Sequence, residues 1–177
     1  MLSRQTMRAL ALAACWLVPG AAALSAQGDL HSTDRGNAAL LLTAPYKSLR
    51  WSPIFPELRL ESPRIAFLRV DSRTGAAHLL IRVPKNFHVP LHWHSANETH
   101  TVLDGEFIVL CAGQRDVLRE RDFNYIPKKM PHEAWTRKDG ALLYITVDGP
   151  WDVNWVNGPP TRADMLGGRK KVREEKD

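Results

Sequence analysis

His92, Trp93, His94 and Glu98 fall within seven residues of one another, and all but the tryptophan carry atoms that bind metal ions. On an extended strand, side chains two apart point the same way. His92 and His94 would therefore present two imidazoles on one face, where the Glu98 carboxylate can join them. His132, well downstream, offers a third imidazole. Three imidazoles and a carboxylate suit one borderline divalent transition metal, and iron, manganese, zinc, nickel and copper are all compatible with that donor set. Four protein ligands in an octahedral arrangement leave two positions for water, oxygen or substrate, whereas a closed tetrahedral site would be structural or storage-like. Imidazoles ligate only when neutral, so acidification towards their ordinary pKa of about 6.5 is expected to weaken the site.

The elements that must position these groups read as short strands. Residues 65–70, 76–83, 99–103, 106–110, 123–126 and 142–147 are β-favouring runs separated by turn residues. Asp104-Gly105 and Asp139-Gly140 are hairpin signals between such runs, and Asp148-Gly149-Pro150 ends the last. No long segment has a helical period with caps, and no fixed-period repeat is present. Many closely spaced strands without helices imply an all-β antiparallel sandwich or barrel.

The chain of 177 residues has room for one domain with a substantial core. Residues 1–26 read as a secretory signal peptide: Arg4 and Arg8 precede an apolar run, Pro19-Gly20 breaks it, and cleavage fits after Ala23 or Ala26. The run is too short for a membrane span, which needs roughly 20 apolar residues. Cys15 superficially fits a lipoprotein box, but apolar sequence continues past it, which disfavours a lipid anchor. The expected protein is exported, to the periplasm or beyond, with no integral membrane span. Residues 27–62 read as an arm packed on the domain through Trp51, Ile54 and Phe55, residues 63–160 as the barrel, and residues 161–177 as a charged, solvated tail. Basic residues are spread along the chain and bunch only in that tail, among acidic ones, so a nucleic-acid partner is not expected. Cys111 alone would survive cleavage. No intramolecular disulfide can then form, and Cys111 reads as a small buried side chain.

Residues 86–98, followed by six residues and Gly105, resemble the first cupin motif, G-x5-H-x-H-x3,4-E-x6-G, with Asn86 at its opening glycine. Asparagine is one of the few other residues that tolerate a left-handed backbone. Residues 121–136 are similar to the second motif, G-x5-P-x-G-x2-H-x3-N. Pro127 and His132 keep their places, Arg121 and Lys129 stand at the glycines, and Thr136 stands at the asparagine. The likeness extends over roughly residues 50–160 and is nearest to small bacterial single-domain, RmlC-like cupins. It implies a double-stranded β-helix, or jelly-roll barrel, with an N-terminal arm and a metal in its mouth held by His92, His94, Glu98 and His132. It also implies a homodimer.

Around these ligands, His100 lies two residues beyond Glu98 and should share its inward face, as a proton-transfer group, a substrate contact, a spare ligand or a plain wall residue. Phe123, Tyr125 and Thr136 are candidates for the pocket lining, with core packing the alternative for the two aromatics. Trp93 and Trp135 should point to the outer face. His88 reads as a loop residue, since Pro90 intervenes before His92, and His78 and His31 carry no assigned role. Two classes of function fit: an enzyme acting on a small organic molecule, either an oxygenase or a Lewis-acid isomerase or lyase, and a non-catalytic metal or ligand-binding module.

Overall fold

The structure, a computed structural model, describes residues 42–166. It contains β1 (Ser52–Pro53), β2 (Arg64–Val70), β3 (Ala77–Val83), β4 (His88–Trp93), β5 (Glu98–Cys111), β6 (Gln114–Arg119), β7 (Phe123–Ile126), β8 (His132–Val147), β9 (Asn154–Trp155) and α1 (Arg162–Leu166). The expected signal peptide, the arm up to residue 41 and the tail from residue 167 lie outside the described residues.

All strand pairs are antiparallel, in the order β1-β2-β3-β8-β4-β9, with β5 joining β8 to β6 and β7. β8 is the spine. Residues 141–147 pair with β3, residues 132–135 with β4, and β5 accompanies both halves. The sheet curls on itself into the all-β jelly-roll barrel expected from the sequence. Its core is a single apolar cluster built from alternate residues of these strands, including Leu79, Ile81, Phe107, Leu143 and Ile145.

Asp104-Gly105 and Asp139-Gly140 do not turn hairpins; each lies inside a long strand. Gly105 and Gly140 sit at φ +79 and +74, and the β5–β8 register shifts around Gly105. In β8 the buried positions are His132, Ala134 and Thr136 before the glycine, and Ala141, Leu143, Ile145 and Val147 after it. One extra residue has switched the inward parity from even to odd. β5 does the same between Glu98, His100, Val102 and Phe107, Val109. Both a bulge and a tight hairpin need positive φ, so Asp-Gly signals either one. The kinks face each other closely, for a Cβ on Gly105 would lie 2.3 Å from the Gly140 carbonyl oxygen. The two-residue hairpin is instead Ala112-Gly113, both at positive φ, between β5 and β6.

The described part of the arm packs on the barrel. Ile54, Phe55 and Leu58 are buried, Phe55 stacks on Phe87, and Trp51 lies 5.1 Å from the Arg82 guanidinium. Residues 162–166, expected to belong to a solvated tail, form α1 instead. Met165 gives this short helix an apolar anchor in the core, Asp164 accepts hydrogen bonds from Thr161 at its start, and Arg162 pairs with Glu61 of the arm. Cys111 is a free thiol, half-buried rather than buried. Among the described residues, no helix is long and apolar enough to cross a membrane.

Candidate metal centre

His92 and His94 come from β4 and the residues just after it, Glu98 and His100 from β5, and His132 from the first residue of β8. All five are buried. The turns that deliver them keep a glycine-like backbone without glycine: Asn86, Arg121 and Lys129 adopt φ +53, +74 and +62. Lys129 is further fixed by its own N–H, which donates to the His94 carbonyl at 2.8 Å. The turn carrying His132 is thereby tied to the first motif despite its missing glycine.

Each histidine of the triangle is oriented in the same way. His92 Nδ1 meets the Pro90 carbonyl at 2.7 Å, His132 Nδ1 meets the Met130 carbonyl at 3.0 Å, and His94 Nδ1 meets the Asp152 carbonyl. A carbonyl can only accept, so each Nδ1 carries a proton, and in the neutral ring Nε2 is left as a lone pair; the tautomers follow from these partners. The ligating atoms of the three residues lie within 4.8 Å of one another. This is how proteins hold metal-binding histidines. Burial, reinforced by the neighbouring His132 and His94, holds His92 well below the ordinary imidazole value, and burial brings His132 down to about 4. Both are neutral and able to ligate at neutral pH. For His94 burial acts in the same direction, but Glu98 and the Asp152 carbonyl outweigh it and raise the value.

Glu98 stands beside the triangle rather than within it. Its Oε2 is 3.0 Å from His94 Nε2 and 3.3 Å from His100 Nε2, yet makes no hydrogen bond, while Oε1 accepts from the Trp151 indole at 3.2 Å. Burial would raise the Glu98 pKa, but His94 and His100 hold it well below the usual carboxylate range. A carboxylate oxygen and an imidazole lone pair facing each other in a buried site repel unless a metal ion or a proton lies between them, and the raised His94 value is the proton's side of that exchange. The donor set and this orphaned oxygen both fit a divalent metal.

His100 shares the inward face of Glu98, as expected, and its Nδ1 is held by Asn124 Oδ1 at 2.9 Å. The five residues form the polar end of a cavity of about 60 Å³ whose walls include Ile54, Phe55, Phe107, Leu143, Trp151 and Val153. No lysine or arginine among the described residues lines it.

Other candidates fall elsewhere. Phe123 and Tyr125 are 60% and 53% exposed, because β7 turns Asn124 and Ile126 towards the barrel. Thr136 is buried but fastens the turn around Asn86, accepting from Phe87 N and donating to the Pro84 carbonyl. Trp135 lies on the outer face, stacked on His88. His88 is not a loop residue: it belongs to β4, with its ring held by Glu133 and the Asp164 carbonyl. His78 is exposed and meets Tyr144, and His31 lies outside the described residues. Sequence reasoning missed Asn124, Trp151 and Asp152. Strand parity from His100 across to β7 could have found the first, but the segment after β8 carries no periodicity that assigns the other two.

A family model described as a cupin domain matches residues 79–148. No curated protein matches the chain. Among solved structures, an RmlC-like cupin from Shewanella frigidimarina is 19% identical, with a TM-score of 0.51 over 60% of this chain and 89% of that one. The polyketide cyclase RemF from Streptomyces resistomycificus is 16% identical, with a TM-score of 0.54 over 71% and 90%. The DMSP lyase DddQ from Ruegeria pomeroyi is 17% identical, with a TM-score of 0.54 over 64% of each chain. At these identities the three share the fold. The family model runs from β3 to the end of β8, so the stretch that carries the candidate ligands and their turns matches a cupin domain, and the structural neighbours support the same superfamily by fold.

Proposed function

We propose that the chain is an exported metal-dependent enzyme whose mononuclear centre, held by His92, His94, His132 and Glu98, acts on a small, largely apolar organic substrate. The observation that carries this reading is the set of three Nδ1–H groups given to backbone carbonyls, which leaves three lone pairs converging on one cavity. The cavity supports the substrate class. About 60 Å³ admits only a small group, most of its walls are apolar, and among the described residues no lysine or arginine lines it to pair with an anionic substrate. When bound, the metal supplies Lewis acidity and, with a redox-active ion such as iron, a centre for oxygen chemistry. Apolar walls exclude water and orient the substrate by shape, while His100 Nε2, beside Glu98 Oε2, holds or moves a proton.

Oxygenation is the first reading of this site. A lyase or isomerase is the second, favoured by the placement of His100 for proton transfer and supported by the lyase and cyclase among the structural neighbours. Metal analysis of the purified protein beside His92→Ala tests the centre, with one metal per chain expected in the first and none in the second. Oxygen uptake and proton-exchange assays with small phenolic and dicarbonyl compounds then separate the two chemistries. A metal-loaded protein inert in all of them is a binding module, and a protein that takes up no divalent metal defeats the whole reading. Export is tested by the mass of the secreted chain, which should begin at residue 24 or 27.

A further inference from the structure

The segment after β8 supplies no ligand, yet it engages the whole first motif. Asp148 accepts from Asn97 N at 2.9 Å, and Asp152 accepts from Ser95 N at 2.8 Å and from His94 Nδ1. Trp155 in β9 lays its ring against His92 at 5.6 Å. Pro150 is seated so closely on Gly75 that a Cβ there would come within 2.7 Å of Pro150 Cγ. These anchors fix the chain on both sides of Trp151, whose indole Nε1–H donates to Glu98 Oε1 at 3.2 Å.

Building on the metal-centre reading, we propose that Trp151 is a positioning residue that makes Glu98 a one-oxygen ligand. The two carboxylate oxygens have unlike surroundings. Oε1 is held by the indole, while Oε2 has no hydrogen-bond partner and faces His94 and His100. With Oε1 engaged, only Oε2 is offered to a metal, and the position that a chelating carboxylate would occupy stays open for substrate. Indole suits this task because it only donates and carries no proton that titrates in the working range, so the donor side of the clamp does not change with pH. Histidine in its place would titrate, and an amide could turn its oxygen towards the carboxylate. Trp151 also lines the cavity, with its ring 6.4 Å from that of His94. The group that fixes the carboxylate is thus also a wall against the substrate.

The test is Co(II) titration of the full chain in four forms: wild type, Trp151→Phe, Glu98→Gln and the double variant, with Trp51→Phe, in the arm and away from the cavity, as a control for the loss of an indole. Chelator competition gives affinity, and the visible absorption reports coordination number. Trp151→Phe should lower affinity about tenfold, in the range seen for groups that orient metal ligands. Its band should weaken as the freed Oε1 joins the metal. In the Glu98→Gln background the same change should alter affinity less than twofold, and Trp51→Phe should leave the band unchanged. Wild-type affinity and absorption in Trp151→Phe, or an equal loss in both backgrounds, overturns the clamp and leaves the metal centre standing. A wild-type protein that binds no Co(II) overturns the metal centre itself. Should Trp151→Phe fail to fold, the assigned Trp151 indole N–H resonance of the Zn(II)-loaded wild type decides. It should shift more than any other indole signal in Glu98→Gln, and no shift overturns the proposal.

Discussion

His88 and His92 share β4, are both buried and are separated by an even number of residues, yet they do opposite things. The cause is a bulge at residues 90 and 91. Val89 pairs with Ala134 and His92 with His132, so β4 takes three steps where β8 takes two. Val89 and His92 therefore both line the cavity, while His88 stacks on Trp135 at the outer face. Their hydrogen bonds differ as well. His88 spends both nitrogens, on the Asp164 carbonyl and on Glu133, each at 2.9 Å, and so pins α1 to the barrel. His92 spends only Nδ1 and keeps Nε2 for the cavity. What equips a buried histidine to hold a metal here is one nitrogen left over, not burial or strand position.

Replacing each residue in turn sharpens that contrast. His92→Ala should weaken divalent-metal binding by at least ~100-fold, measured by chelator competition, since it removes a ligand rather than a group that orients one. His88→Ala should leave metal stoichiometry and affinity unchanged. If His88→Ala lost the metal to the same degree, the division of labour across the bulge would be wrong.

Acid probes the triangle as a whole. In the apo protein His92 and His132 are held below the ordinary value of 6.5, with His132 at about 4. Above pH 6.5 neither is charged folded or unfolded. Between about 6.5 and 4 the unfolded chain takes up these protons and the folded one does not, so stability falls with pH. His132 alone accounts for roughly 3 kcal/mol by the lower end of that window. His94, raised by Glu98, has the opposite sign and offsets part of the loss. Denaturant midpoints of the apo protein should therefore drop from pH 7 to pH 4.5, and the extra stability of the Zn(II)-loaded form should vanish over the same interval as protons displace the metal. A flat apo profile would contradict the buried neutral imidazoles.

On the outer face, His88→Ala should cost about 1–3 kcal/mol in urea unfolding, for the two lost hydrogen bonds and a carboxylate left half-buried without its partner. The loss should be shared by truncation before α1, because His88 is what binds the Asp164 carbonyl to β4. Additive losses in the combined variant would break that link.

The candidate ligands were legible because their spacing is a local property: His92, His94 and Glu98 stand within seven residues, and the inward face of His100 follows by parity. Strand boundaries were less so, because Asp104-Gly105 and Asp139-Gly140 state a backbone requirement that a bulge meets as well as a turn. The exposed Phe123 and Tyr125 show the same limit, since composition says aromatic while the pairing of β7 with β5 decides which side faces in. The groups that orient the three histidines were least legible. Pro90, Met130 and Asp152 act through backbone carbonyls, which any residue type provides.

Lys129 joins the two scales. At its position the second motif has glycine, and the structure shows the reason: φ is +62, where a side chain is strained. The turn is kept because the Lys129 N–H is fixed on the His94 carbonyl and Met130 N–H on Pro127. Lys129→Gly should relieve the strain and stabilise the fold by up to about 1 kcal/mol, less the added freedom of glycine in the unfolded chain. The exposed lysine side chain lies outside the cavity, so metal affinity should stay within twofold. Lys129→Pro, whose ring fixes φ near −65° and removes that N–H, should instead release His132 and weaken the metal. Equal metal affinity in the glycine and proline variants would mean that His132 is placed by β8 alone and that the turn has no part in it.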